Sequence, residues 1–193
     1  MPFNMFDFLN EFEPVDESLK QQLEPYFEQK TFKKGDVLCR EGEVPEVCYF
    51  LNDGIVRGYL KHQDHKEYNR VFFTKHEMMA SFSALIQKIP SAITLECLTD
   101  CEVLVIDYEQ IIRLEEQYTV LYKIHIKVLE EFFIKRETEI IQLATMDATR
   151  RYLSLRQRIP QLDNKIPQFH IASYLGITPV QLSRIRKKLL QNG

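Results

Sequence analysis

Short apolar runs alternate with turn residues in the first half of the chain. This pattern predicts strands at 37–39, 47–51, 55–60, 68–73, 94–98 and 102–106. Glycines within 34–36, 41–43 and 52–54 mark the turns between them. Many short strands at such spacing indicate a small antiparallel barrel or jelly roll. Before them, residues 1–14 predict a short amphipathic helix that packs its phenylalanines on the body, and residues 17–28 predict a second helix.

The pattern changes to a helical period after Asp107, which is placed to cap a helix over 108–114. A long helix follows over 119–144, with two apolar stripes. One stripe contains Ile126, Leu129, Phe133 and Ile140; the other contains Leu121, Ile124, Val128 and Phe132. The barrel needs only one of them, so the first stripe is predicted to form a dimer interface. Packing of both stripes within one chain is the alternative.

The segment 167–193 has the signals of a helix, a tight turn and a second helix. Gly176 ends the first helix, and Thr178, Pro179 and Gln181 form a capping box with proline at the first helical position. In the second helix Leu182, Ile185 and Leu189 form an apolar back, opposite a polar and basic front. This arrangement is typical of the recognition helix of a helix-turn-helix.

The charge distribution supports an interaction with a polyanion. Residues 147–193 contain nine Lys or Arg and two acids, a formal charge of +7, whereas residues 1–146 carry −10. A basic segment on an acidic body favours nucleic acid as its partner. The sequence contains neither a membrane-spanning run nor a secretory signal, and Cys39, Cys48, Cys97 and Cys101 are interpreted as buried, reduced thiols. We therefore expect a cytoplasmic protein.

Several motifs together resemble the Crp/Fnr superfamily of bacterial transcription regulators, in a branch common in Bacteroidetes-type bacteria. They lie at 32–38, 41–43, 49–54 and 102–107 in the barrel, and at 171–178 and 182–186 near the end. The expected fold class is α+β, with an N-terminal antiparallel β-roll or jelly-roll sensor domain (1–117), a dimerisation helix and hinge (118–146) and a helix-turn-helix domain (147–193). The resemblance implies a homodimer that binds double-stranded DNA at two-fold symmetric operators, and we expect RNA polymerase as a further partner.

This chain departs from the cyclic-nucleotide-binding members of that family at the ligand cassette. Those members hold the ribose with a glutamate and the cyclic phosphate with an arginine. Here Ala80 and Ser81 stand for the Gly-Glu pair, and Pro90 precedes Ser91 where the arginine is expected. A phosphate desolvated without its cation binds poorly, and a flexible Lys88 does not replace a bidentate fork. We therefore expect no cyclic AMP binding, no cofactor and an unknown effector.

The DNA-contacting residues are also altered. The best-known members present an Arg-Glu pair at the first two positions of the recognition helix, where this chain has Pro179 and Val180. Val180 is placed to touch a thymine methyl, and Gln181 either caps the helix or reaches an adenine. The predicted DNA-binding residues are Gln168, Thr178, Val180, Gln181, Ser183, Arg184, Lys187 and Lys188. The segment 160–167 is short for a β-hairpin, which predicts an abbreviated winged helix.

Two other classes of function compete with this interpretation. His62, His65 and Glu67 have the residue types of a cupin-like metal-dependent enzyme, but they stand in a hydrophilic hairpin tip without the glycine framework of such sites. Cysteines near the N-terminus, as in iron–sulfur sensors, are lacking, and the lone histidines are typical of surface residues, although haem sensing stays open. A sensor that acts through protein contacts alone is the second alternative. We expect neither metal nor catalysis.

Overall fold

The computed structural model describes residues 4–62 and 66–191. The chain is α+β, with antiparallel sheets in its first half and helices in its second. The strands are β1 (Phe27–Phe32), β2 (Val37–Cys39), β3 (Val47–Asp53), β4 (Val56–Lys61), β5 (Glu67–Phe73), β6 (Met78–Met79), β7 (Thr94–Cys97) and β8 (Cys101–Asp107). The α-helices are α1 (Met5–Phe12), α2 (Glu17–Leu23), α3 (Phe82–Gln87), α4 (Tyr108–Glu115), α5 (Thr119–Thr145), α6 (Ala148–Arg158), α7 (Leu162–Lys165), α8 (Gln168–Tyr174) and α9 (Pro179–Gln191).

Two four-stranded antiparallel sheets form the barrel. Their strand orders are β1-β8-β3-β6 and β2-β7-β4-β5. The inner faces enclose one apolar core, in which Leu51, Val56, Leu95 and Val103 are fully buried. Most strands pair with strands that are distant along the chain. The first strand, β1, pairs with the last, β8, for instance Phe27 with Ile106, so the two ends of the barrel sequence lie side by side. The predicted antiparallel roll is confirmed.

The prediction of a helix over 17–28 is wrong at its end. The helix stops at Leu23, Pro25 lies in a 3-10 turn, and Phe27 begins β1. Six backbone pairings with β8 convert 27–32 into an edge strand, although four of its six residues are exposed. Sheet pairing with a distant segment therefore overrides the local helical pattern.

Helices α1, α2, α4 and the first half of α5 cover the outer face of the β1-β8-β3-β6 sheet. The N-terminal helix begins at a capping box made by Asn4 and Asp7, and it packs Phe6, Phe8 and Phe12 on the body as predicted. Asp107 caps α4 by accepting from the N–H of Gln110 at 3.1 Å. Buried Leu121 and Ile124 fasten α5 to the same core.

Helices α6 to α9, which we call the C-terminal bundle, follow α5 directly. Asp147 caps α6 by accepting from the N–H of Arg150 at 2.8 Å. The core of the bundle also includes residues of the barrel. At its centre are the buried residues Tyr152, Leu155, Ile171 and Leu182. From 148 to 191 the structure contains no strand, so the abbreviated winged helix is confirmed for this range. Among the described helices, none has the length and apolar character needed to cross a membrane.

Candidate nucleic-acid interface

The turn between α8 and α9 is built by small and apolar residues. Ala172 is fully buried where the two helices meet, and a larger side chain there would separate them. After α8 the chain reverses at Gly176, whose φ of +66° belongs to the left-handed region that glycine enters most easily. Its N–H donates to Ser173 O at 3.1 Å, and the N–H of Ile177 donates to Ala172 O at 3.0 Å. These bonds fix the angle at which α9 leaves the turn.

Reciprocal hydrogen bonds between Thr178 and Gln181 begin α9. The N–H of Thr178 donates to Gln181 Oε1 at 2.8 Å, and the N–H of Gln181 donates to Thr178 Oγ1 at 3.2 Å. The predicted capping box is therefore present. Of the two roles considered for Gln181, its side-chain carbonyl oxygen performs the capping role, and the residue is exposed.

One face of α9 packs inward while the opposite face carries exposed cations. Leu182 is fully buried, and Ile185 and Leu189 pack against the bundle core. The exposed residues of the front face are Val180, Gln181, Ser183, Arg184, Lys187 and Lys188. The structure brings these predicted DNA-binding residues together on one surface, with Thr178 exposed at its start and Gln168 exposed in the first turn of α8. We call this surface the α9 face; its contact with DNA stays a prediction.

The basic residues of α9 fall into two groups. Arg186 points back to the bundle, with its Nε 3.5 Å from Asp163 Oδ1. Within 4–62 and 66–191, by contrast, no carboxylate pairs with Arg184, Lys187 or Lys188. Their charges are thus available to an external anion, and the α9 face is a cationic surface without internal neutralisation.

Helix α5 presents one apolar stripe to the barrel and leaves the other exposed. Val128 and Phe132 are half-buried against the barrel core and α3. On the other side Phe133 is 69% exposed and Ile140 is 67% exposed, and Ile126 and Leu129 continue this surface toward the start of the helix. Both stripes thus have the predicted orientations, while dimerisation through the exposed one stays a prediction.

The altered cassette contributes no free cation to the barrel. Ala80, Ser81 and Ser91 are buried, and Ser91 Oγ donates to Ile93 O at 2.7 Å. Pro90 is exposed at the surface. Lys88 adopts a left-handed conformation and its Nζ lies 3.4 Å from Glu109 of α4, so its charge is directed outside the barrel. Among the described residues Arg57 is the only buried cation, and two carboxylates neutralise it.

A polar cluster between the barrel and α8 escaped sequence reasoning; we call it the latch. Arg57 lies 2.6 Å from Glu96 and 2.7 Å from Glu67, and its Nη1 donates to His170 Nδ1 at 3.0 Å. Asn69 donates from Nδ2 to His170 O at 3.2 Å, and its N–H donates to Ser173 Oγ at 3.0 Å. The latch thus fixes α8 to β4 and β5. No local motif signals it, because Arg57 and His170 lie 113 positions apart along the chain and each member is individually ordinary.

The imidazole of His170 is neutral in this arrangement. Since a guanidinium can only donate, Nδ1 accepts and the ring proton lies on Nε2. Burial, reinforced by the Arg57 charge, lowers the pKa of His170 to about 4. The latch is therefore matched to an uncharged ring.

The cysteine and metal expectations concern other parts of the barrel. All four cysteines are buried and none forms a disulfide; burial raises the pKa of Cys48 to about 12. His62 and Glu67 flank the β4–β5 hairpin, and His65 lies outside the described residues. Within 4–62 and 66–191 no group of three or more His, Cys, Asp or Glu is placed to hold a metal ion.

A sequence profile of the cyclic nucleotide-binding domain matches residues 29–118. This range runs from the middle of β1 to the end of the α4–α5 connection and contains β2 to β8 in full. A search of curated proteins found no significant match to the sequence.

Solved structures share the fold over most of the chain. FixK2 from Bradyrhizobium japonicum has a TM-score of 0.74 at 17% identity, covering 86% of this chain and 86% of its own. CLP, a c-di-GMP responsive global regulator from Xanthomonas campestris, has a TM-score of 0.69 at 18% identity, covering 92% and 93%. A Eubacterium rectale protein described as a candidate regulator of the Crp/Fnr family has a TM-score of 0.72 at 16% identity, covering 97% and 88%.

Proposed function

We propose that this chain, which has the Crp/Fnr fold and carries a cyclic nucleotide-binding domain at residues 29–118, is a homodimeric, sequence-specific DNA-binding transcription regulator. In this proposal the α9 face enters the major groove, α5 forms the dimer, and the barrel is a sensor that does not take cyclic AMP. The proposal also places the chain in the cytoplasm, without catalytic activity and with RNA polymerase as a further partner.

The observation that carries the proposal is the uncompensated charge of the α9 face. Arg184, Lys187 and Lys188 are exposed and have no carboxylate partner among the described residues, whereas Arg186 on the same helix is paired. Cations on a helix surface without a binding role are commonly stabilised by an acid one turn away, as Arg113 is by Glu109 at 2.7 Å. A capped helix with an apolar back and an unpaired cationic front is suited to a groove lined by phosphates.

The exposed stripe of α5 supports the dimer. Phe133 and Ile140 expose most of their apolar surface, and the 27 residues of α5 extend about 40 Å at 1.5 Å per residue. A two-fold axis along such a helix would bury the exposed stripe of one chain against the exposed stripe of its partner and place two α9 helices on one side of the dimer. Two recognition helices would then read half-sites about 34–36 Å apart, one turn of B-DNA.

Duplex binding over a range of salt concentrations tests the proposal. The full chain should bind a mixed-sequence duplex with an affinity that falls as salt rises, and K187A/K188A should weaken all duplexes alike and lower the salt slope by about 1.8, or about 0.9 for each lost phosphate contact. The matched control is K30A/K34A, which removes two lysines from the barrel side. Absence of duplex binding, or equal slopes for both double variants, would contradict the α9 face as the DNA-binding surface.

A further inference from the structure

A cleft of about 290 Å³ lies where the barrel, α5 and the C-terminal bundle meet. Arg70 contributes to it from β5, Lys135 and Glu139 from α5, and Arg151 and Arg158 from α6. We call it the interdomain cleft. Its lining includes none of the cassette residues and no front-face residue of α9.

The charge of the interdomain cleft is strongly positive. Four cations line it, against the single carboxylate of Glu139. That carboxylate is already engaged by Arg136 outside the lining, at 2.7 Å, and lies only within 3.9 Å of Arg158. Lys135 is neutralised by Glu77, but Arg70 has no carboxylate partner within the described ranges. The cleft therefore contains more positive charge than its own acids compensate.

Arg151 shows this imbalance most clearly. Its Nη1 donates to Met146 O at 2.7 Å and its Nη2 donates to Leu175 O at 2.9 Å, so the guanidinium spans the hinge and the end of α8. Its Nε is buried and has no hydrogen-bond partner among the described residues. This guanidinium is half-buried and bonded only to neutral carbonyls, so no opposite charge offsets the cost of its desolvation. An anion in the cleft would supply it.

The remaining lining defines the chemistry of such an anion. Thr138, Gln142 and Ser154 offer neutral hydrogen-bonding groups, while Tyr174, Leu155 and Leu175 provide aromatic and apolar contacts. We propose that the interdomain cleft binds a small organic molecule that combines one oxyanion, a phosphate or a carboxylate, with one apolar or aromatic part. Guanidinium groups match either oxyanion, because both accept parallel N–H bonds.

Occupancy of the cleft connects three parts of the fold. A ligand that bridges Arg70, Lys135 and Arg151 would hold the bundle in one position relative to the barrel and α5. Since a ligand shifts an equilibrium by its differential affinity for the two states, it would favour the arrangement in which these cations converge. An effect on DNA affinity rests on the proposed function, whereas binding of the anion itself does not.

Calorimetric titration of the full chain with phenyl phosphate, benzoate and benzyl alcohol tests the cleft. Phenyl phosphate or benzoate should bind, and comparing the two shows whether the cleft prefers a phosphate or a carboxylate. Neutral benzyl alcohol should bind at least about tenfold more weakly than the better of the two. R70Q changes an exposed residue and should weaken binding of that oxyanion by about tenfold. E139Q should strengthen it, and R113Q, on α4, should leave it unchanged.

R151M should weaken oxyanion binding as R70Q does. Thermal unfolding checks that R151M folds. If R151M does not fold, R70Q and E139Q alone decide the test. Failure of both oxyanions to bind, or binding that R70Q and E139Q leave unchanged, would overturn the site. It would also be overturned if R70Q weakened duplex binding in a chain that binds neither oxyanion, because the cations would then contact DNA phosphates. A chain that binds phenyl phosphate but no duplex would support the cleft and contradict the proposed function.

Discussion

Arg184 is the residue for which the structure makes the sharpest statement about DNA sequence. It lies on the exposed front of α9, two positions from buried Leu182, and has no internal partner among the described residues. Its planar fork matches guanine O6 and N7, so Arg184→Ala should cost about 1–3 kcal/mol per half-site and relax preference at one base pair. Competition between matched and single-substituted duplexes would measure this. Unchanged base preference would show that Arg184 does not read sequence.

Arg186→Ala is the matched control for Arg184→Ala. Arg186 is two residues away on the same helix, but it faces Asp163 in the bundle. Its loss should leave the ranking of duplexes unchanged and lower the thermal unfolding midpoint slightly, because a half-exposed ion pair contributes about 0–1 kcal/mol. Equal loss of base preference in both variants would indicate a change in the helix rather than in a contact.

The cassette residues lead to a prediction about the barrel. Ser81 and Ser91 are buried, the Ser91 hydroxyl donates to Ile93 O, and Lys88 lies beside Glu109 outside the barrel. Neither cyclic AMP nor cyclic GMP should therefore bind at micromolar concentration, since the phosphate would be desolvated without a cation. Calorimetry on the full chain would test this, and a micromolar dissociation constant for either nucleotide would refute it.

At the scale of elements, α5 is where the dimer is tested. Phe133→Glu or Ile140→Glu would bury an unpaired charge in the proposed interface, and sedimentation should then show a monomer where the parent chain is a dimer. Glu131→Gln is the control, since it alters an exposed polar position of the same helix. A parent chain that remains monomeric at micromolar concentration would remove the interface and with it the expectation of a palindromic operator.

How far the elements could be predicted depended on whether their signals were local. The α9 capping box and the turn at Gly176 are set by adjacent residues, and the structure has both where the sequence places them. Strand β1 is not predicted, and its first two residues fall in the predicted helix over 17–28, because the pairing partners of β1 in β8 lie 69 to 79 residues away along the chain. Helix α3 was not predicted either: only six residues long, it is stabilised by contacts such as Phe82 on Phe132.

At the scale of the whole molecule, the latch makes stability depend on pH. The folded state holds His170 neutral with a pKa of about 4, below its ordinary value of 6.5, so the unfolded chain binds more protons between these values. This contribution is complete above pH 6.5 and is lost as pH falls toward 4. Denaturant unfolding should therefore show a steeper loss of stability over this interval in the parent chain than in His170→Asn, which keeps an uncharged acceptor. Parallel pH profiles would contradict the latch.

No pattern in the sequence predicts how the C-terminal bundle packs on the barrel. Barrel residues Ile55, Phe72 and Leu98 share a core with Tyr152 and its neighbours, although each reads locally as an ordinary strand or loop residue. The latch and the interdomain cleft likewise join groups from separate modules, so their chemistry exists only after folding. The α9 face could be predicted because one helix contains nearly all of it, whereas sites between modules could not.

The central claim, a dimer that reads DNA with two α9 helices, is tested most directly by selecting duplexes from a random pool with the full chain. The proposal predicts enrichment of an inverted repeat whose half-sites are about 34–36 Å apart, and loss of preference at one position of each half-site with Arg184→Ala. Recovery of no common sequence, or of a single site without two-fold symmetry, would contradict it.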